Sequence, residues 1–113
     1  MSLDWQYATH RDVVVVTLTG HLGGEALACF VGAIAWVQAR STGPVLLDVT
    51  GLISWSTEGE AAVLDAARLL GTQPLALCGI SDLPTRAIAA NGPNPLSIYP
   101  DLDTALDALI PQG

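Results

Sequence analysis

The pattern of apolar and polar positions starts with a β-hairpin. Residues 5–9, WQYAT, place Trp5, Tyr7 and Thr9 on one side of a period-two pattern, which is typical of a half-buried strand. A polar turn, HRD, separates this segment from VVVVTLT at 13–19, which predicts a more central strand. Three shorter apolar runs bounded by turn residues predict further strands, at 44–49, 74–78 and 96–99.

Helical stripes lie between these predicted strands. The first, over 25–40, has apolar residues spaced by three and four, and a similar stripe follows residues 54–60. A short helix is predicted from about Leu83 to Ala90, and a last helix begins after Asp101. The order β-β-α-β-α-β-α-β-α predicts an α/β fold: a small mixed sheet of about five strands, with the hairpin first and parallel crossovers after it, and about four helices.

Length and composition predict one densely packed domain. The chain has 113 residues, half of them apolar, so we expect a single domain over 1–113 with its core at about 5–110. Eleven acidic residues against four arginines and no lysine give a formal charge of −7. This charge disfavours nucleic-acid and anionic-membrane partners, and no apolar run reaches the roughly 18 residues of a membrane span.

Candidate chemistry is sparse. Cys29 and Cys78 lie in apolar stretches without metal-ligand spacing, which favours buried free thiols over a disulfide or metal pair. His10 and His21 have no cysteine or acid at such a spacing either, so we expect no metal and no cofactor. None of the common nucleotide-binding, hydrolase or metalloprotease motifs occurs, which makes an enzyme the least favoured function. The N-terminus around Asp4 lacks a basic flank and apolar run, which predicts a cytoplasmic protein.

The stretch SWSTEGE at 54–60 concentrates polar residues before a helical stripe. Thr57 and Glu60 have the spacing of a capping box, which makes Glu58 the predicted first helical residue, where a negative charge is favourable. Gly59 is not explained by this cap, because glycine near the second helical position weakens a helix by about 0.5–1 kcal/mol. We therefore expect a partner's side chain or a neighbouring loop to pack closely against this glycine.

The arrangement of these features resembles the STAS domain family, the anti-sigma factor antagonists. The resemblance rests on the hairpin, the turn Gly20-His21-Leu22, a strand ending in Asp48 and a glycine-bearing helix start at Gly59. It extends over about residues 5–110. The family has Asp-Ser-Ser-Gly before that helix, and this chain has Ser56, Thr57 and Glu58 at the three positions before the glycine.

The resemblance implies a protein-binding regulator of transcription. In the family, an anti-sigma factor with kinase activity phosphorylates the second serine, and the unphosphorylated domain captures that kinase. Glu58 stands at this serine's position and cannot accept a phosphate, but it carries a permanent negative charge. Such a charge either prevents partner binding or, opposite a basic residue, supports a constitutive complex. Thr57 or Ser56 remains available for modification.

The sequence therefore predicts a non-enzymatic signalling module with a protein partner, an anti-sigma factor or serine kinase. Its predicted binding loop consists of Ser56, Thr57, Glu58 and Gly59. A possible flanking surface is formed by His21, Leu22, Gly23, Gly24 and Trp55, although Trp55 also suits the core. The alternatives are a small-molecule or apolar-ligand binding module on the same fold, or a subunit of a larger assembly. The oligomeric state stays open.

Overall fold

A computed structural model describes residues 3–41, 43–70, 73–80 and 96–109. In these ranges the chain forms six strands and three helices. The strands are β1 (Leu3–His10), β2 (Val13–Leu22), β3 (Val45–Asp48), β4 (Leu52–Trp55), β5 (Leu75–Cys78) and β6 (Leu96–Tyr99). The helices are α1 (Ala26–Arg40), α2 (Thr57–Leu70) and α3 (Leu102–Leu109). The predicted helix at 83–90 lies outside the described residues.

The sheet confirms the predicted mixed α/β fold. Its strand order is β1-β2-β3-β5-β6, with β1 antiparallel to β2 and the other neighbours parallel. A two-residue turn at Arg11 and Asp12 joins β1 to β2. Both residues have positive φ, 47° and 73°, as a type I′ hairpin turn requires. All five predicted strands are present.

Strand β4 was not predicted. It pairs in parallel with the carboxyl-terminal end of β2, where Gly20 lies opposite Leu52 and Leu22 lies opposite Trp55. The pairing shifts register between Gly20 and His21. Four residues with mixed polarity carry too weak a periodicity to be recognised as a strand, and their pairing depends on the distant β2.

Alternate residues of the central strands enter two separate cores. Val14, Val16 and Leu18 of β2 face the larger core, which α1 and α2 cover with Phe30, Ile34, Val37, Val63, Leu64, Ala67 and Leu70. Val13 and Val15 face the opposite side, where Ala105 and its neighbours in α3 pack. Full burial of one large aliphatic or aromatic side chain stabilises the fold by roughly 1.5–3 kcal/mol. The sheet is therefore covered on both faces, as buried parallel strands require.

The two cysteines lie in different environments. Cys78 is buried in β5 as predicted, but the prediction for Cys29 was wrong, because this residue is exposed on α1. Burial, with the nearby charge of Asp48, raises the pKa of the Cys78 thiol to about 12. Only a thiolate reacts readily with disulfide reagents.

We therefore expect one thiol of the native protein to react with an aromatic disulfide reagent and two to react in denaturant. A Cys29→Ser variant should show no fast reaction when folded. Fast reaction of that folded variant would contradict the buried position of Cys78. Counting thiols by absorbance in the presence and absence of urea gives the result directly.

No helix among the described residues is long and apolar enough to cross a membrane.

Candidate functional site

Two loops meet at the carboxyl-terminal end of β2. One contains residues 20–24 and leads into α1, and the other contains residues 54–60 and leads into α2. Strand β4 brings them together, because it pairs with the last residues of β2. The backbone N–H of Ser56 then donates a hydrogen bond of 2.9 Å to the carbonyl of Leu22. The two loops therefore lie side by side.

The cap of α2 is Ser56, one residue earlier than predicted. The Gly59 N–H donates to Ser56 Oγ at 3.0 Å, and the Glu60 N–H donates to the Ser56 carbonyl at 3.0 Å. Thr57 is therefore the first helical residue, and Glu58 the second. The predicted capping box of Thr57 and Glu60 was wrong, because the helix begins one residue earlier and places a glycine at the third position.

Removing the two hydroxyls separately tests this cap. Ser56→Ala should lower the free energy of unfolding by about 1 kcal/mol, because the Gly59 amide loses its acceptor. Thr57→Ala should change it by less than about 0.5 kcal/mol, because Thr57 is exposed and does not cap the helix. Urea denaturation of both variants measures the difference. A larger loss for Thr57→Ala would show that the helix begins where the sequence predicted.

Gly59 packs against the backbone of β2. A Cβ atom built on this residue would overlap the carbonyl oxygen of Leu22 and approach its side chain at 3.1 Å. The expectation of a close neighbour at this glycine is confirmed, and the neighbour is Leu22, the last residue of β2. Because a backbone carbonyl cannot move aside easily, Gly59 locks the start of α2 to the end of β2.

A second glycine, Gly23, also lies at a close contact between the two loops. A Cβ on Gly23 would lie 2.5 Å from Ser56 Oγ and 2.9 Å from His21 Nε2. The other ring nitrogen, His21 Nδ1, lies 2.7 Å from Ser54 Oγ and shares a hydrogen bond with it. Ser54 was not predicted as a site residue, because its contact with His21 follows from the unpredicted pairing of β2 with β4.

The predicted site residues differ in exposure: His21 and Ser56 are half-buried, and Gly23 and Gly59 are buried. Thr57, Glu58 and Gly24 are exposed. Leu22 and Trp55 are buried, with 0% and 5% of their surface accessible, so their side chains support the loops from inside the core and form no surface. We call the exposed set, Gly24, Thr57 and Glu58, the α2-start surface. It is the part of the predicted site that another molecule can reach.

The α2-start surface is suited to binding polar groups of a partner. The first N–H groups of a helix point out of its N-terminus without intrahelical acceptors, and a hydroxyl and a carboxylate stand beside them here. No cluster of three or more potential metal ligands occurs within the described ranges. Asp48, the strand-end acid, accepts the Thr50 N–H at 3.1 Å and so holds the turn between β3 and β4.

Comparison with known proteins gives a match in structure but none in sequence. No protein-family model and no curated protein matches this chain. The phosphorylated form of the Bacillus cell fate determinant SpoIIAA superimposes with a TM-score of 0.68 at 20% identity, over 93% of this chain and 98% of that one. The chain has the STAS fold.

Two further STAS-fold structures match over similar lengths. An anti-sigma factor antagonist from Mycobacterium paratuberculosis has a TM-score of 0.73 at 22% identity, over 95% of this chain and 93% of that one. A variant of RsbS from Moorella thermoacetica with glutamate in place of a serine has a TM-score of 0.71 at 20% identity, over 93% of each chain. The predicted STAS resemblance is thereby confirmed at the level of the fold.

Proposed function

We propose that this chain is a regulatory STAS module that docks a protein partner through the α2-start surface. By the resemblance, the partner is an anti-sigma factor of the serine-kinase type. The observation that carries the proposal is the exposed pair Thr57 and Glu58 on a helix start that Gly59 fixes against β2. A rigid, exposed helix start is pre-organised for binding, since little conformational entropy is lost there on docking.

Charge favours a partner with a basic docking surface. Glu58 is exposed in the first turn, Glu25 is exposed in the neighbouring loop, and the whole chain carries a formal charge of −7. Such a surface attracts a basic patch and accelerates the encounter with it. We propose that the partner places an arginine or lysine opposite Glu58, which makes the complex constitutive.

Two structural relatives support a role for added negative charge in modules of this fold. SpoIIAA is known in a phosphorylated form, and RsbS is known as a variant with glutamate in place of serine. In this chain Glu58 supplies one permanent charge. If phosphorylation adds a regulated charge as well, Thr57 accepts the phosphate. Thr57 is exposed, whereas the Ser56 hydroxyl caps α2.

The remaining parts of the proposal concern the whole chain. We propose a single STAS domain over 1–113 that acts in the bacterial cytoplasm as a binding module without enzymatic activity. Its role is in transcription regulation, because docking to the module determines how much of the partner is free.

Complex formation tests the proposal. The purified chain is mixed with each kinase-type anti-sigma factor encoded in the same genome, with and without ATP, and native mass spectrometry records the species. We expect one of these proteins to form a stable complex without ATP, and expect the complex to weaken as ionic strength rises. Absence of a complex with all of them, for the wild type and for Glu58→Ser, would refute the proposal.

A further inference from the structure

A cleft lies at the end of the molecule opposite the α2-start surface. It has a volume of about 650 Å³ and is bordered by the β1–β2 hairpin and the carboxyl-terminal end of α1. Val14 in its wall and Leu22 at the α2-start surface are at opposite ends of β2, roughly 25 Å apart at the usual rise per strand residue. Small-molecule sites commonly have volumes of about 300–1,000 Å³. The cleft is therefore large enough for a small ligand and separate from the docking site.

One wall of the cleft is aromatic. Tyr7 and Trp36 both line it, with their ring centroids 4.6 Å apart in an edge-to-face arrangement. Trp5 also packs against Trp36 edge-to-face, with ring centroids 5.8 Å apart, and restricts that ring. Tyr7 is half exposed, so a ligand in the cleft can reach its ring. This wall suits a ligand with an aromatic ring.

The cleft also holds two opposite charges that do not neutralise each other. The Arg40 guanidinium lies 3.9 Å from the centre of the Trp36 ring, and Asp12 lines the same cleft from the hairpin turn. Within the described ranges, neither residue takes part in a salt bridge or a side-chain hydrogen bond. A guanidinium suits a carboxylate and a carboxylate suits an ammonium group. The two charges together match a zwitterion.

The floor of the cleft is held rigidly. The buried Gln73 side chain donates hydrogen bonds to the carbonyls of Ser41 and Gly43, at 3.0 and 2.6 Å. The Gly43 N–H in turn donates to Ser41 Oγ at 3.2 Å. Ser41 and Gly43 both line the cleft. Ser41 and Gly43 are therefore held in place before any ligand arrives, as a preformed site requires.

We infer that this cleft binds a free aromatic α-amino acid. Arg40 pairs with the carboxylate of the ligand, Asp12 with its ammonium group, and the Tyr7–Trp36 wall with its ring. The assignment is independent of the docking function, because the cleft shares no residue with the α2-start surface.

Ligand analogues test the assignment on the unchanged protein. L-phenylalanine, L-tyrosine and L-tryptophan are titrated calorimetrically, together with 3-phenylpropionate, which lacks the ammonium group, and 2-phenylethylamine, which lacks the carboxylate. We expect at least one amino acid to bind with a dissociation constant below about 1 mM, and each analogue of phenylalanine to bind at least tenfold more weakly than phenylalanine. No binding of any amino acid, or binding of either analogue as tight as that of phenylalanine, would overturn the inference.

Two variants test which residues bind the charged groups of the ligand. Arg40→Gln and Asp12→Asn should each weaken binding of the amino acid at least tenfold, and asparagine tolerates the positive φ of position 12. Arg68→Gln is the matched control, because Arg68 is an exposed helical arginine outside the cleft, and it should leave binding unchanged. An equal loss for Arg68→Gln, or no loss for the two cleft variants, would refute the proposed contacts.

Discussion

Gly59→Ala is expected to lower the free energy of unfolding by about 1–2 kcal/mol, although alanine is the better helix former. The new methyl group would overlap the Leu22 carbonyl oxygen, and relieving this overlap requires the first turn of α2 to move away from β2. Inserting a methyl group into a tightly packed site costs about 1–3 kcal/mol, and the helix-propensity gain of up to about 1 kcal/mol does not offset it at a backbone contact. Urea denaturation measures the change.

Gly32→Ala is the matched control. Gly32 is also a helical glycine, but it is exposed on α1 and a Cβ built there meets nothing within 4 Å. This substitution should raise the free energy of unfolding by about 0.5–1 kcal/mol, through helix propensity alone. If both variants were stabilised alike, the close contact between Gly59 and Leu22 would not exist in solution.

Glu58→Arg is expected to weaken the complex with the partner at least tenfold, or about 1.4 kcal/mol. The substitution replaces an attraction by a repulsion if a basic residue of the partner faces Glu58, and like charges facing each other across an interface are unfavourable by several kcal/mol. Calorimetric titration at low and physiological salt measures the loss, which should shrink as salt rises.

Asp103→Arg controls for the change of net charge and for the helix dipole. Asp103 is likewise an exposed acid in the first turn of a helix, α3, but it lies away from the α2-start surface. This variant should bind the partner with nearly wild-type affinity. Tighter binding by Glu58→Arg than by the wild type would show that Glu58 prevents docking, the other possibility that the sequence allows.

The larger part of the fold could be predicted from periodicity, because its elements have strong local patterns. The hairpin, the three parallel strands and the described helices each carry apolar residues that pack into one or both of the two cores. Strand β4 could not be predicted, because its pairing with β2 depends on residues some thirty positions earlier. The exposure of Cys29 has a similar cause, since α1 is apolar nearly all round and periodicity alone does not separate its buried and exposed faces.

The local geometry of the candidate site could be predicted only in part. A close neighbour at Gly59 could be predicted because glycine weakens a helix start unless close packing requires it. The neighbour is the Leu22 carbonyl. The cap was placed one residue late, because Ser56 and Thr57 are both good caps and their choice depends on where β4 ends. The burial of Trp55 and the Ser54–His21 contact also follow from that strand.

The location of the docking surface is tested most directly by amide hydrogen exchange of the chain, free and in complex with its partner. The N–H groups in the first turn of a helix exchange readily when no acceptor covers them. The account predicts that partner binding slows exchange in the peptides containing Gly24, Thr57 and Glu58, and leaves α3 unchanged. Protection confined to α3 and β6, with residues 54–60 unaffected, would contradict it.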